Sequence, residues 1–161
     1  MKKMRRKELP SSIFDDPMIY ILSKNSSLID YDNKRTMFKM EIKNIKSREK
    51  GHHPIDLVLS REHVLDQSMN EIMARSAPEL KGKLHIQFQD EEGEDAGGLT
   101  REWFSLLSKQ MFNPNYAIFQ PSSTGNTYQP SPKSYINPQH LTFFKFVGRV
   151  VGKAMHDGFI M

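Results

Sequence analysis

The sequence predicts an α+β fold that is mainly helical, with about five helices and two or three short strands. Two kinds of hydrophobic spacing support this: helical spacing over several stretches of a dozen or more residues, and alternation over two short segments, which is clean over residues 83–89 and partial over residues 55–59. Glycines and prolines separate these stretches. With 161 residues, 37% hydrophobic composition and ten phenylalanines, the chain is large enough for one domain with a core.

The first 50 residues are predicted to contain a flexible basic arm followed by a helix. Residues 1–30 are polar with short apolar pieces, which allows at most one short helix there. A helical apolar stripe then predicts a helix over residues 32–50, with Asp32 or Asn33 as its cap. The stripe consists of Phe38, Ile42 and Ile45.

Two strands with a helix between them are predicted next. Residues 55–59 and 83–89 alternate between apolar and polar side chains, the pattern of strands with one buried face. Ser60 is the predicted N-cap of a helix over residues 61–75. The apolar face of that helix is expected to contain Val64, Leu65, Met69, Ile72 and Met73.

The second half begins with a predicted helix over residues 99–112, which ends before Pro114 because proline disfavours helical geometry in the preceding residue. Five of the nine prolines fall within residues 113–139. Within this stretch, residues 116–119 and 127–128 are predicted to form a short hairpin around the turn at Gly125 and Asn126.

The last predicted helix covers residues 138–157 and is apolar over more than half of its circumference. Its polar stripe consists of Lys145, Arg149 and Lys153, which we expect to face solvent. We expect Gly148 and Gly152 to allow close helix packing. A helix this apolar needs neighbours on more than one side, so we expect the chain to be part of a longer polypeptide.

Charge and cysteine content limit the possible functions. The net charge of +4 arises from +6 in residues 1–50 and −2 in residues 51–161. No apolar run is long enough to span a membrane and no secretory signal is present, so we expect a cytoplasmic or nuclear protein without membrane contact. The chain has no cysteine, which excludes disulfides, cysteine-ligated zinc and a cysteine nucleophile within it.

Common catalytic and metal-binding motifs are missing from the sequence. The acidic run over residues 90–95 lacks the glycine that an EF-hand requires at its sixth position. The glycines of residues 148–153 are too close together for a phosphate-binding loop, and the six histidines show no HExxH spacing. No GxSxG motif is present. We therefore expect no metal and no cofactor.

Several motifs in a fixed order give the chain a specific resemblance. The segments Gly93–Phe104 (GEDAGGLTREWF), Met111–Tyr116 (MFNPNY), Ile136–Leu141 (INPQHL) and Phe143–Arg149 (FFKFVGR) closely resemble the opening of HECT ubiquitin ligase domains. Residues 30–38 resemble the helix that precedes this domain in the very large Mule- and Tom-like ligases. The resemblance extends from about residue 28 to residue 161.

This resemblance implies an architecture and a chemistry. A HECT domain has a mainly helical N-lobe, which includes a subdomain that docks a ubiquitin-conjugating enzyme. Its C-lobe carries a cysteine that accepts ubiquitin as a thioester and passes it to a lysine of a protein substrate. The chain resembles only the first part of the N-lobe and has no cysteine, so we expect it to be a fragment that cannot catalyse this transfer alone.

The resemblance also divides the chain and assigns roles to residues. Residues 1–30 are the arm, 31–54 the preceding helix, and 55–161 the first part of the N-lobe. Some HECT N-lobes bind a second ubiquitin non-covalently, and Tyr128, or alternatively Tyr116, is the expected contact. Structural roles at the strand-to-helix entry, where glycines avoid a Cβ clash, are expected for Asp95, Gly97, Gly98, Arg101, Glu102 and Trp103.

Two other functions are compatible with the sequence. A non-enzymatic module that binds ubiquitin or a ligase partner would need only a stable fold. A nucleic-acid-binding protein would depend on the basic residues 1–50 alone, and would show strongly salt-dependent binding. That segment does not interleave aromatic and basic residues in its arm, which argues against nucleic acid as a partner.

Overall fold

The computed structural model describes residues 25, 27, 29–48, 51–91, 97–125 and 127–161. The contacts divide the chain into two units, Met1–Lys50 and Gly51–Met161. The predicted arm over residues 1–30 lies almost entirely outside the described residues, as does most of the acidic run over residues 90–95.

The described part of the first unit is dominated by one helix, α1 (Tyr31–Arg48). Its start is capped by Asp30, whose carboxylate accepts the backbone N–H of Asn33 at 2.9 Å. This backbone hydrogen bond is the main cause that lowers the pKa of Asp30. The prediction that Asp32 or Asn33 caps the helix is therefore wrong by two or three residues.

The second unit begins with a β-α-β arrangement: β1 (Ile55–Leu59), α2 (Val64–Ala74) and β2 (Leu84–Phe88). The two strands are parallel, with Ile55 opposite Leu84 and Leu59 opposite Phe88. Apolar residues of both strands are buried on one face, as the alternation predicts. Parallel strands need a crossover, and α2 supplies it.

The predicted N-cap of α2 is wrong. The helix begins at Val64, with His63 at the N-cap position and no side-chain cap. Ser60 lies before an intervening turn, and its backbone N–H donates to Oε1 of Gln67 at 2.7 Å. A glutamine from the helix therefore binds back to the end of β1.

Helix α3 (Gly98–Met111) provides the centre of the core. Trp103, Phe104 and Leu107 are all fully buried. Nε1 of Trp103 donates to Oγ of Ser68 at 2.8 Å, and both residues are fully buried, so this polar pair is satisfied inside the core.

The proline-rich stretch forms a small antiparallel hairpin of β3 (Phe119–Pro121) and β4 (Tyr128–Pro130). The hairpin prediction is confirmed, with the strand ends displaced by one to three residues. Short 3-10 helices flank it at Pro114–Tyr116 and Ser134–Ile136, and a third lies earlier at Glu79–Lys81.

The polar stripe of the last helix, α4 (His140–Asp157), is not a solvent-facing stripe. Arg149 Nη1 donates to the carbonyl oxygens of Ile72 at 2.8 Å and Arg75 at 2.7 Å, at the C-terminal end of α2. A cation there also interacts favourably with the helix dipole. Only Lys145 is exposed as predicted.

Lys153 departs furthest from the expectation, since only 4% of its surface is exposed. Its Nζ donates to the carbonyl oxygen of Gly82 at 2.6 Å and lies 2.8 Å from a carboxylate oxygen of Asp157. Lys153 is therefore an internal connection between α4 and the segment that leads into β2.

The glycines of α4 also differ from the expectation. A Cβ built on Gly148 or Gly152 meets nothing within 4 Å among the described residues, and both positions are exposed. Close helix packing at these glycines is therefore wrong for this unit. No helix in the described part of the chain has the length and apolarity that crossing a membrane requires.

Candidate functional site

A pocket of about 360 Å³ lies where α3, β4 and the last residue of the chain meet. Its lining combines apolar and polar side chains: Ser108, Lys109, Phe112, Tyr128 and Met161. We call this the Tyr128 pocket. Tyr128 is 55% exposed, so its ring is available to a partner.

The side chains of the Tyr128 pocket are positioned by ring contacts. Tyr128 stacks on Phe112, with centroids 4.7 Å apart and 26° between the ring planes. Phe112 is the C-cap residue of α3 and also contacts Phe119 of β3 at 5.0 Å. A lining that combines two aromatic rings and a methionine with a lysine and a serine can accept an apolar patch of another protein that has polar edges.

The structure separates the two predicted tyrosines. Tyr128 lines the pocket, whereas Tyr116 belongs to the 3-10 helix Pro114–Tyr116, lies 6.0 Å from the ring of Phe143 and is not part of the pocket lining. Sequence reasoning missed the other four lining residues, because helical spacing gives Ser108, Lys109 and Phe112 no distinguishing feature and Met161 lies beyond the last predicted helix.

The strand-to-helix entry contains five of the six predicted motif residues, and Asp95 lies outside the described residues. Gly97 has a φ of 97°, which favours glycine. A Cβ on Gly97 or Gly98 meets nothing within 4 Å among the described residues, so the expected steric role of these glycines stays a prediction. Trp103 is buried in the core, and Arg101 is exposed.

Glu102 takes part in an ion-pair cluster that the sequence did not predict. Arg61 binds Glu91 with two of its nitrogens, and its Nη1 donates to Oε1 of Glu102 at 2.6 Å. The guanidinium also lies 4.1 Å from the ring centroid of Phe88. The hydrogen bonds to Glu91 and then to Glu102 raise the pKa of Arg61, and the hydrogen bond from Arg61 lowers the pKa of Glu91. The cluster ties the residues after β2 to the first turns of α3.

A second, more polar pocket of about 250 Å³ includes His52, His53, Arg75 and Glu79 in its lining. The carboxylate of Glu79 accepts the backbone N–H of Ser76 at 2.7 Å, so it already has a partner. Among the described residues, no group of three or more histidine, aspartate or glutamate side chains could hold a metal ion.

Comparison with known proteins shows which protein family the chain resembles. Residues 105–161 match the family described as HECT-domain (ubiquitin-transferase). The chain contains a HECT-domain segment over residues 105–161. It is 48% identical over 142 residues to the E3 ubiquitin-protein ligase TOM1-like of Neurospora crassa, a match covering 86% of this chain and 4% of that protein.

Two further relatives have the same type of name. The chain is 40% identical over 160 residues to the E3 ubiquitin-protein ligase ptr1 of Schizosaccharomyces pombe, covering 95% of this chain and 5% of ptr1. It is 43% identical over 133 residues to the E3 ubiquitin-protein ligase HUWE1 of Mus musculus, covering 81% and 3%. The chain therefore resembles the Tom1-like and HUWE1-like ligases and spans 3–5% of their length.

Both the match to the HECT family and the candidate site fall in the same part of the chain. Every residue that lines the Tyr128 pocket lies within the HECT match over residues 105–161. The Arg61 cluster and the β-α-β arrangement precede that match, and the relatives' longer alignments cover them.

Proposed function

We propose that this HECT segment serves a ubiquitin ligase by binding ubiquitin non-covalently in the Tyr128 pocket. The observation that supports this proposal is that an exposed tyrosine, stacked on Phe112 beside Met161, lines a partly apolar pocket within the HECT match. Tyrosine is a residue type that often supplies much of the binding energy in protein interfaces. Lys109 and Ser108 add polar groups to the lining, and these can orient the partner.

The reaction that the pocket serves is ubiquitin transfer from a conjugating enzyme, through a cysteine thioester, to a lysine of a protein substrate. The names of the relatives and the family description support this reaction class. The thioester step requires a sulfur nucleophile, because a thiolate both attacks and leaves readily. These 161 residues contain no cysteine, so their own contribution is binding and positioning.

Titration of the isotope-labelled chain with ubiquitin, followed by NMR, tests the pocket. Amide signals of Ser108, Lys109, Phe112, Tyr128 and Met161 are expected to shift in a saturable manner. Tyr128→Ala is expected to weaken binding at least tenfold, since truncation of an interface hot spot typically costs about 2 kcal/mol or more. Tyr135→Ala is the matched control, because Tyr135 is 71% exposed and lies outside the pocket. Unmoved pocket signals at millimolar ubiquitin would rule out this function.

Incubation with activating enzyme, conjugating enzyme and ubiquitin tests whether this chain binds ubiquitin without forming a thioester. We expect no thiol-sensitive ubiquitin adduct on the 161-residue chain. A reducible adduct on this chain would contradict the proposal, because the chain offers no sulfur nucleophile.

A non-enzymatic role is the second candidate, and the absence of cysteine favours it. In that role the chain binds ubiquitin, or a ligase partner, and competes with an intact HECT ligase. Adding the chain to an intact ligase would then slow ubiquitin chain formation, and Tyr128→Ala would relieve the inhibition. Inhibition that is identical for the wild type and Tyr128→Ala would indicate a different surface.

A further inference from the structure

The ring of Tyr128 has little local support from its own strand. β4 is a three-residue strand whose residues are all exposed, and within the described part of the chain it pairs only with the equally short β3. An isolated two-stranded hairpin is marginally stable in water. The orientation of the Tyr128 ring must therefore come from its contacts outside the hairpin ladder.

Those contacts form a continuous series of rings, the aromatic column, made of Tyr128, Phe112, Phe119 and Phe144. Tyr128 and Phe112 are stacked at 4.7 Å, and Phe112 and Phe119 are tilted at 5.0 Å. Phe119 meets Phe144 edge-on at 5.2 Å, with 87° between the ring planes. Offset, tilted and edge-on pairs at these distances are the favoured aromatic geometries.

The column connects an exposed ring to the core through four elements. Tyr128 is on β4, Phe112 ends α3, Phe119 is on β3 and Phe144 is on α4. Phe112, Phe119 and Phe144 are partly buried and packed against the core cluster. Phe112 therefore connects the pocket to the core, and Phe119, which does not line the pocket, packs against Phe112 at 5.0 Å.

We infer that Phe119 is a positioning residue for ubiquitin binding: acting through Phe112, it holds the ring of Tyr128 in the orientation that the partner meets. The inference rests on the proposed function of the Tyr128 pocket. Fixing an interface side chain before binding strengthens affinity, because the cost of ordering that side chain is removed.

Phe119→Leu keeps an apolar side chain and removes one ring from the column. We expect ubiquitin to bind about two- to tenfold more weakly, the range that an aromatic pair contributes. NMR relaxation of the labelled tyrosine ring is expected to show greater mobility of Tyr128 in the variant. Phe119→Tyr, which keeps the ring, is expected to restore both affinity and ring order. Tyr135→Leu is the matched control and is expected to change neither.

The outcomes separate this inference from the proposed function. If Tyr128→Ala abolishes binding while Phe119→Leu leaves affinity and ring mobility at wild-type values, the positioning role is overturned and the pocket remains. If Tyr128→Ala has no effect on binding, both proposals fail. If Phe119→Leu does not fold, Phe144→Leu removes the next ring of the column, and the same two measurements decide the question.

Discussion

Replacing Gly82 by alanine is expected to destabilise the 51–161 unit, for a reason that the structure makes specific. A Cβ at this position would lie 1.9 Å from the carbonyl oxygen of His53 and 3.3 Å from Cγ1 of Ile55. The backbone of Gly82 (φ −59°, ψ 154°) suits any residue, so the cost is steric. Because the nearest atom belongs to the backbone, a rotamer change cannot relieve the clash.

The magnitude follows from what must move. The 1.9 Å separation is far shorter than a van der Waals contact. Relief of the clash therefore requires the Gly82 and His53 segments to move apart by more than about 1 Å. That movement weakens two hydrogen bonds: the one that Lys153 Nζ donates to the Gly82 carbonyl oxygen at 2.6 Å, and the one that Ile55 N donates to the Lys83 carbonyl oxygen at 2.8 Å. Overpacking costs about 1–3 kcal/mol, and weakening a charged hydrogen bond adds roughly 1 kcal/mol, so we expect about 2–4 kcal/mol in total.

Urea unfolding followed by circular dichroism measures this change, with Gly148→Ala as the matched control. A Cβ at Gly148 meets no described atom within 4 Å, and alanine is a better helix former than glycine. The control is therefore expected to be more stable than the wild type by roughly 0.5–1 kcal/mol. A free energy of unfolding for Gly82→Ala within about 0.5 kcal/mol of wild type, the usual scatter of neutral surface changes, would refute the reasoning.

Three further changes test other contacts. Lys153→Met is expected to lower the free energy of unfolding in urea by about 2–4 kcal/mol, because it removes a buried charged donor. Lys145→Met on the same helix should change it by less than about 0.5 kcal/mol. Equal effects of the two variants would contradict the internal role of Lys153. Ser68→Ala leaves the indole N–H of Trp103 without its acceptor, so we expect the free energy of unfolding to fall by about 1–3 kcal/mol and the fluorescence spectrum of the single tryptophan to shift. An unchanged spectrum and stability would count against this hydrogen bond. Arg61→Gln is expected to lower the melting temperature at neutral pH, and to lower it by less as the pH falls below about 4. The hydrogen bond from Arg61 lowers the pKa of its carboxylate partner Glu91, and the stabilisation from this pair is lost when Glu91 is protonated. A difference in melting temperature that is independent of pH would exclude this coupling.

Periodicity alone predicted most of the architecture. Alternation is clean over residues 84–88 and sufficient over residues 55–59 despite the exposed Val58, and both strands agree with the prediction. The helices over residues 31–48 and 98–111 agree to within one or two residues at each end. Helix starts were less predictable, because a side chain such as Gln67 can satisfy the backbone of Ser60 without forming a helix cap.

The polar side chains of α4 and the lining of the pocket required the structure. A basic side chain every fourth residue has the same pattern whether its partner is water or a distant carbonyl group. Arg149 and Lys153 have carbonyl partners, which no local pattern encodes. The resemblance to HECT domains indicated Tyr128, but Phe112 and Met161 join it only through tertiary packing.

The donors on α4 have a consequence for the order in which the chain can complete its fold during synthesis. Arg149 reaches back 77 residues to the carbonyl of Ile72, and Lys153 reaches back 71 residues to that of Gly82. Until these two side chains have left the ribosome, the C-terminal end of α2 and the segment entering β2 lack their cationic partners. Nascent chains that stop before residue 149 are therefore expected to be sensitive to protease across residues 72–82, and chains that extend well beyond residue 153 are expected to become resistant there in a single step.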